Sequence, residues 1–145
     1  MRTLVALGVG LFLLVACASV QPVAIRVGDV CDGCRRPITN AKIAAELVPP
    51  SGLPLKFRTV TCMARYIKEH QVSASEVFVT DYGSGRLIHV RSAVFVKSEI
   101  DDRTKELDYY AFGDVASAVA FGKKSGGSAT DWPGILQRIA AGGAD

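Results

Sequence analysis

LKFRTVTCMARYIKEHQVSASEVFVTDY, running from Leu55 to Tyr82, is the stretch from which the fold is read. Leu55-Lys56-Phe57-Arg58-Thr59-Val60 alternates apolar and polar side chains, the period of two that a half-buried strand requires. The period then lengthens. Thr61 is expected to cap a helix by accepting from an amide of its first turn, and Met63, Tyr66, Ile67 and His70 recur along one helical face to about Gln71. Glu76–Tyr82 (EVFVTDY) returns to β-prone residues and stops at Gly83-Ser84-Gly85. Strand, helix, strand in this short span is the nucleus of an α+β fold.

Upstream, Ile38–Val48 predicts a strand closed by the turn Pro49-Pro50-Ser51-Gly52, and Val23–Val30 predicts a tether or edge strand. Downstream, Leu87–Ser98 predicts one long strand, and Asp101-Asp102-Arg103-Thr104-Lys105 a polar turn. Leu107–Phe112 predicts the next strand. Asp114 should cap a helix carrying Val115, Ala118, Val119 and Phe121, with Gly126-Gly127 stopping it. Trp132–Ala141 predicts a short closing helix. The order strand, strand, helix, strand therefore occurs twice at a period of roughly 50 residues. The expected architecture is two linked ββαβ units with antiparallel sheets, the pseudo-repeats covering about 31–84 and 85–130 of a domain at 31–145.

At 145 residues the chain suits one ordinary domain, and 49% hydrophobic with 21% charged residues excludes disorder and coiled coil. Seventeen Lys and Arg against fourteen Asp and Glu give a formal charge of +3, too weak and too scattered for nucleic acid. No phosphate-binding glycine loop, dinucleotide fingerprint, HExxH or GxSxG occurs. No carboxylate pair stands out as acid and base, so the expectation is not an enzyme.

Residues 1–16 have the charge and length of a signal peptide rather than a membrane span, ending in Leu14-Val15-Ala16-Cys17. This is similar to a bacterial lipobox, with Cys17 taking the lipid and 17–30 forming a lipidated tether. The expected location is the bacterial cell envelope, on the outer membrane facing the periplasm, because no Asp follows Cys17 as an inner-membrane retention signal. That compartment is oxidising, so the remaining thiols must be read as capable of disulfides.

Cys31-Asp32-Gly33-Cys34-Arg35-Arg36-Pro37 is the sharpest local signal. Two thiols at this spacing on a tight turn suit a structural disulfide, a redox pair or a soft-metal site, and the motif alone does not choose. Arg35 and Arg36 favour thiolates and disfavour a bare cation. Cys62 opens the first helix, where a thiol pKa is lowered, and Met63 follows it. His89 is expected to alternate away from Ile88 and Val90 as a possible further ligand, and His70 to interact with its helix dipole.

In sequence order, Cys17, CDGCRRPI (Cys31–Ile38), FRTVTCMARYI (Phe57–Ile67), VFVTDY (Val77–Tyr82), LIHVRSAVFVKS (Leu87–Ser98), YAF (Tyr110–Phe112) and Gly126-Gly127 resemble the NosL family. These are small lipoproteins associated with copper delivery to nitrous oxide reductase in the bacterial periplasm. The resemblance implies Cu(I) as cargo, a membrane through the lipid anchor, and a partner such as nitrous oxide reductase or another copper-handling protein. Two expected sulfur donors are missing. Arg36 stands where the family carries a Met, and the segment Leu107-Asp108-Tyr109-Tyr110 holds no sulfur. Cys31, Cys34, Cys62, Met63 and His89 are then the candidate ligands. The alternatives are an interaction lipoprotein with a Cys31–Cys34 disulfide, and a thiol–disulfide protein cycling the same pair.

Overall fold

A computed structural model describes residues 20–50, 52–73 and 75–142; the signal segment and Cys17 lie outside the described residues. Seven strands and three helices are present among them: β1 (Ala45–Val48), β2 (Leu55–Phe57), α1 (Val60–Glu69), β3 (Glu76–Thr80), β4 (Leu87–His89), β5 (Val94–Asp101), β6 (Glu106–Phe112), α2 (Val115–Ser125), β7 (Ala129–Thr130) and α3 (Trp132–Ala140). One sheet has the order β2-β1-β3-β4 and the other β6-β5-β7, every pairing antiparallel. The successions β1-β2-α1-β3 and β5-β6-α2-β7 are the two ββαβ units, and the fold class is α+β as expected.

Alternation along each strand divides the two faces. Ala45, Leu47, Phe57 and Val79 of the first sheet and Phe95, Tyr109 and Ala111 of the second point into one shared core, filled by Val60, Met63 and Ala64 of α1 and Ile135 and Ile139 of α3. Val96, Tyr110 and Phe112, on the reverse face of the second sheet, pack under Ala118 and Phe121 of α2. A parallel bridge from Asp81 to Ala111 joins the sheets, with the Tyr82 N–H donating to the Ala111 carbonyl at 2.8 Å.

Four local readings are corrected. The cap of α1 is Thr59, not Thr61. β2 ends at Phe57, and the hydroxyl of Thr59, whose backbone is extended, accepts from the Cys62 N–H at 3.2 Å. Thr61 is already helical and donates through its hydroxyl to Asp108. Only Ala45–Val48 of the predicted Ile38–Val48 strand is a strand, because the Asn40 side chain accepts from the Lys42 N–H at 3.0 Å and winds Ala41–Ile43 into a 3-10 turn. Leu87–Ser98 is broken at Val90–Ser92, where His89 Nδ1 accepts from the Arg91 N–H at 3.2 Å and caps a second 3-10 turn. This break sends β4 to the first sheet and β5 to the second. Val23–Val30 is a strap with a turn at Val27-Gly28, held by side-chain bonds with Glu46 and Lys56 and by backbone bonds to Ile38, and makes a single bridge between Val30 and Pro37 rather than an edge strand. The caps Asp114 and Asp131 and the left-handed stop at Gly126 fall where side-chain acceptors and φ > 0 require them.

Candidate metal centre

The strap places the first two thiols. The Val23 N–H donates to the buried Glu46 carboxylate at 2.9 Å, and Lys56 Nζ reaches the Ala24 carbonyl at 3.1 Å and Asp29 at 2.6 Å. Gly28 and Asp29 exchange backbone bonds with Ile38 at 2.9 and 2.8 Å, so residues 31–36 form the tip of a closed hairpin. Within the tip the Cys31 N–H donates to the Arg36 carbonyl and the Arg35 N–H to the Cys31 carbonyl, both at 2.9 Å.

The tip is sewn to the edge strand β2. The Asp32 N–H donates to the Lys56 carbonyl and the Lys56 N–H to Asp32 Oδ2, both at 2.7 Å. Because β2 leads directly into α1, docking on that edge carries the hairpin to the first turn of the helix and so to Cys62. Gly33 is the point of closest approach. A Cβ there would stand 3.2 Å from Cys62 Sγ and 3.4 Å from both the Cys62 carbonyl oxygen and the Phe57 ring.

Three thiols meet as a result. Cys31 Sγ lies 3.5 Å from Cys62 Sγ, and the sulfurs of Cys31, Cys34 and Cys62 all fall within 4.8 Å of one another. Sulfurs bound to one ion at about 2.3 Å stand roughly 4 Å apart, whereas a disulfide needs about 2.05 Å. Among the described residues this is the single cluster of three Cys, His or carboxylate side chains close enough to share an ion. Burial is graded: Cys31 is wholly buried, Cys62 half-buried and Cys34 exposed.

Electrostatics divide the same thiols. Cys31 and Cys62 share a sulfur hydrogen bond in which either can donate; that contact, with the Cys34 and Arg58 amides, holds the Cys31 thiol well below its ordinary value of 9.0 despite burial. Cys62 is pushed up, first by that bond and then by burial and the neighbouring sulfur charge. The two thiols are thereby pushed in opposite directions, Cys31 towards thiolate and Cys62 towards thiol. Beside it opens a cleft of about 580 Å³ bordered by Cys34, Cys62, Arg36, Arg58, Arg65 and Lys105. Arg58 pairs with Glu106 of the second unit. Asp108 of β6 accepts from the Thr61 N–H and hydroxyl at 3.1 and 3.0 Å, and burial raises its carboxyl above the ordinary range against these bonds.

Of the other sequence candidates, the two histidines stand apart from this group. His89 Nε2 lies 3.0 Å from Glu76, with its ring edge-on to Phe78, and takes no part in the sulfur cluster. Met63 is wholly buried among the core side chains. His70 is the residue after α1, stacked on Tyr66 at 3.9 Å with Nδ1 3.0 Å from the Tyr66 carbonyl, at the end of the helix dipole. Sequence reading passed over Asp108 and Glu106, for which nothing local predicts contact across 47 and 48 positions of chain. The Cys62 contact had a signal: Thr59 stands three residues before Cys62, the spacing of a cap and the amide it binds.

The family model for NosL matches residues 22–139. The crystal structure of the copper chaperone NosL from Shewanella denitrificans superposes with a TM-score of 0.64 at 22% identity, covering 78% of this chain and 93% of that one. Comparison with proteins of curated function gives no match.

Proposed function

The chain belongs to the NosL family, and on that premise we propose that it is a copper carrier of the bacterial envelope, holding Cu(I) on Cys31, Cys34 and Cys62 and passing it to a copper-handling partner such as nitrous oxide reductase. The observation that carries this reading is the convergence of three sulfurs from two separate elements in a chain whose sequence lacks the family's two usual methionines. Thiolate is the softest donor available, and Cu(I) prefers it to imidazole or carboxylate. Two thiolates and a third at contact distance replace the missing thioethers without recruiting Met63 or His89.

The burial gradient gives the order of events. Cys31 and Cys62 hold the ion from behind, and Cys34 is the sulfur an incoming ligand reaches. Copper leaves by ligand exchange: a partner sulfur bonds the ion as the Cys34 bond lengthens, and the copper remains Cu(I) throughout. Ion binding by thiolates displaces thiol protons, so loading weakens on acidification. A three-thiolate Cu(I) centre carries a charge of −2, which Arg36, Arg58 and Arg65 along the cleft offset. The lipobox-like Leu14-Val15-Ala16-Cys17, with no Asp after Cys17, supports a lipid anchor on the periplasmic side of the outer membrane. The reading is of a carrier, with no catalytic step.

The test is an anaerobic Cu(I) competition against a chromophoric chelator on the reduced chain. One equivalent is expected to be retained. Cys34→Ser and Cys62→Ser should each weaken it by at least about a hundredfold, roughly 2.7 kcal/mol, and Arg36→Met should strengthen it. Affinity unchanged in both cysteine variants refutes the assignment. A Cys31–Cys34 disulfide protein would instead retain no copper and resist millimolar glutathione.

A further inference from the structure

The strap has features that presenting Cys31 does not require. Half of the large apolar side chains that stand exposed among the described residues fall within residues 20–30: Val20, Val23, Val27 and Val30. The strap lies on the outer face of the first sheet, held from beneath by Glu46 and Lys56, paired neighbours on β1 and β2. Its exposed side chains therefore turn away from that sheet. Beside it opens a cavity of about 360 Å³ whose lining includes Pro22, Ala24 and Ile25 of the strap together with Lys42, Arg86 and Leu87. Both cations are exposed, and no carboxylate lines the cavity. The strap itself adds the exposed Arg26. Carboxylates of the neighbouring segments are engaged: Asp29 pairs with Lys56, Asp81 accepts from the Ser84 and Gly113 amides, and Glu46 is buried on the Val23 amide. An apolar rim beside a positively charged cavity matches the headgroup zone of an anionic bilayer.

Resting on the lipid-anchor reading above, we propose that residues 20–30 and this cavity form a membrane-docking face. Val20, Val23 and Val27 enter the headgroup zone, and Lys42 and Arg86 pair with a phospholipid phosphate. The anchor brings the face within reach: Val20 stands three positions after Cys17, a span of at most about 11 Å. An acyl anchor alone leaves a domain free to turn on its tether, whereas a second contact sets which side meets the lipid. Val30 is followed directly by Cys31, so docking along the strap also sets the height of the sulfur cluster above the bilayer.

The test places the full chain on vesicles of phosphatidylcholine, alone or mixed with phosphatidylglycerol, with phosphatidylcholine brominated in its acyl chains as quencher. Val27, 69% exposed, and Val115, 62% exposed on α2, are each replaced by Trp, so that Trp132 contributes equally to both chains. With phosphatidylglycerol present, quenching of the added indole in Val27→Trp is expected to be at least about twofold stronger than in Val115→Trp. That ratio should fall towards unity without phosphatidylglycerol, in about 1 M salt, and in K42E/R86E. The comparison of lipids needs no altered charge, so it stands even if K42E/R86E fails to fold. Equal quenching at the two positions, or a ratio that ignores lipid charge, overturns the proposal. Intact mass reports the lipid on Cys17 separately. A chain without lipid that still binds phosphatidylglycerol vesicles through position 27 refutes the anchor and keeps the face. A lipid-bearing chain quenched equally at both positions keeps the anchor and loses the face, and a chain with neither lipid nor vesicle binding removes both.

Discussion

A methyl group on Gly33 would stand 3.2 Å from the Cys62 sulfur, closer than a relaxed contact, so a side chain at position 33 would push the CxxC turn and the helix thiol apart by a few tenths of an ångström. Gly33→Ala should therefore lower apo stability modestly, by about 1 kcal/mol in urea unfolding, and weaken Cu(I) retention by about tenfold, 1.4 kcal/mol, in chelator competition. A loss confined to stability would show that the spacing of the sulfurs does not depend on this approach. The Cys31 thiolate is likewise a property of its neighbours. Its pKa is lowered first by the bond to Cys62, and the charge is present above the folded value and lost as pH falls through it. Ultraviolet thiolate absorbance of the reduced apo chain should thus persist well below pH 9.0 and disappear in Cys31→Ser. In Cys62→Ser the hydroxyl is a different donor in the same place, and the midpoint should move up. An unmoved midpoint would assign the depression to the backbone amides instead.

Between the residue and the fold stands the first turn of α1, where one cap serves both structure and site. The Thr59 hydroxyl accepts from the amide of Cys62, the residue that also supplies a sulfur. Thr59→Ala is expected to cost about 1 kcal/mol in urea unfolding and to weaken copper retention as well. Asp114→Ala removes the cap of α2, which serves the second cluster, and should leave copper retention unchanged. Equal copper affinities in the two variants would separate the cap from the site. The same elements mark the limit of sequence reading. Strands and helices were legible wherever one face is buried, because the period of Leu55–Val60 or of the Met63 face is a consequence of that burial. The breaks at Val90–Ser92 and Ala41–Ile43 were not, since each depends on one side chain, His89 or Asn40, choosing a backbone amide over solvent. At the site, Cys31 and Cys34 were legible as a motif and Cys62 as a neighbour of a helix start. Their meeting was not, because it is made by the reciprocal Asp32–Lys56 bonds, and no periodicity encodes a pairing 24 residues apart.

For the whole molecule the decisive join is the strap, which lies outside the two ββαβ units and yet presents Cys31 to them. Its anchor on the central strand β1 is Glu46, wholly buried, accepting the Val23 N–H through both carboxylate oxygens with Lys56 across the strand pair. Burial raises the Glu46 pKa above 4.5, while the Val23 bond and the Lys56 charge only partly oppose it. The sign follows: the folded chain holds this proton more tightly than the unfolded chain. The stabilisation is complete below pH 4.5 and is lost as pH rises through the folded value. Glu46→Gln keeps an oxygen for the Val23 amide and removes the charge. Urea unfolding from pH 4 to 8 should show the variant gaining on the parent across that window and holding its advantage at neutral pH. The carboxylates of Asp29, Asp81, Asp101 and Asp114, all held below their usual value, weaken both chains alike on acidification and cancel in the difference. Curves that stay parallel over the whole range would mean that the Glu46 carboxyl titrates as it does unfolded, and that its charge does not weaken the anchor.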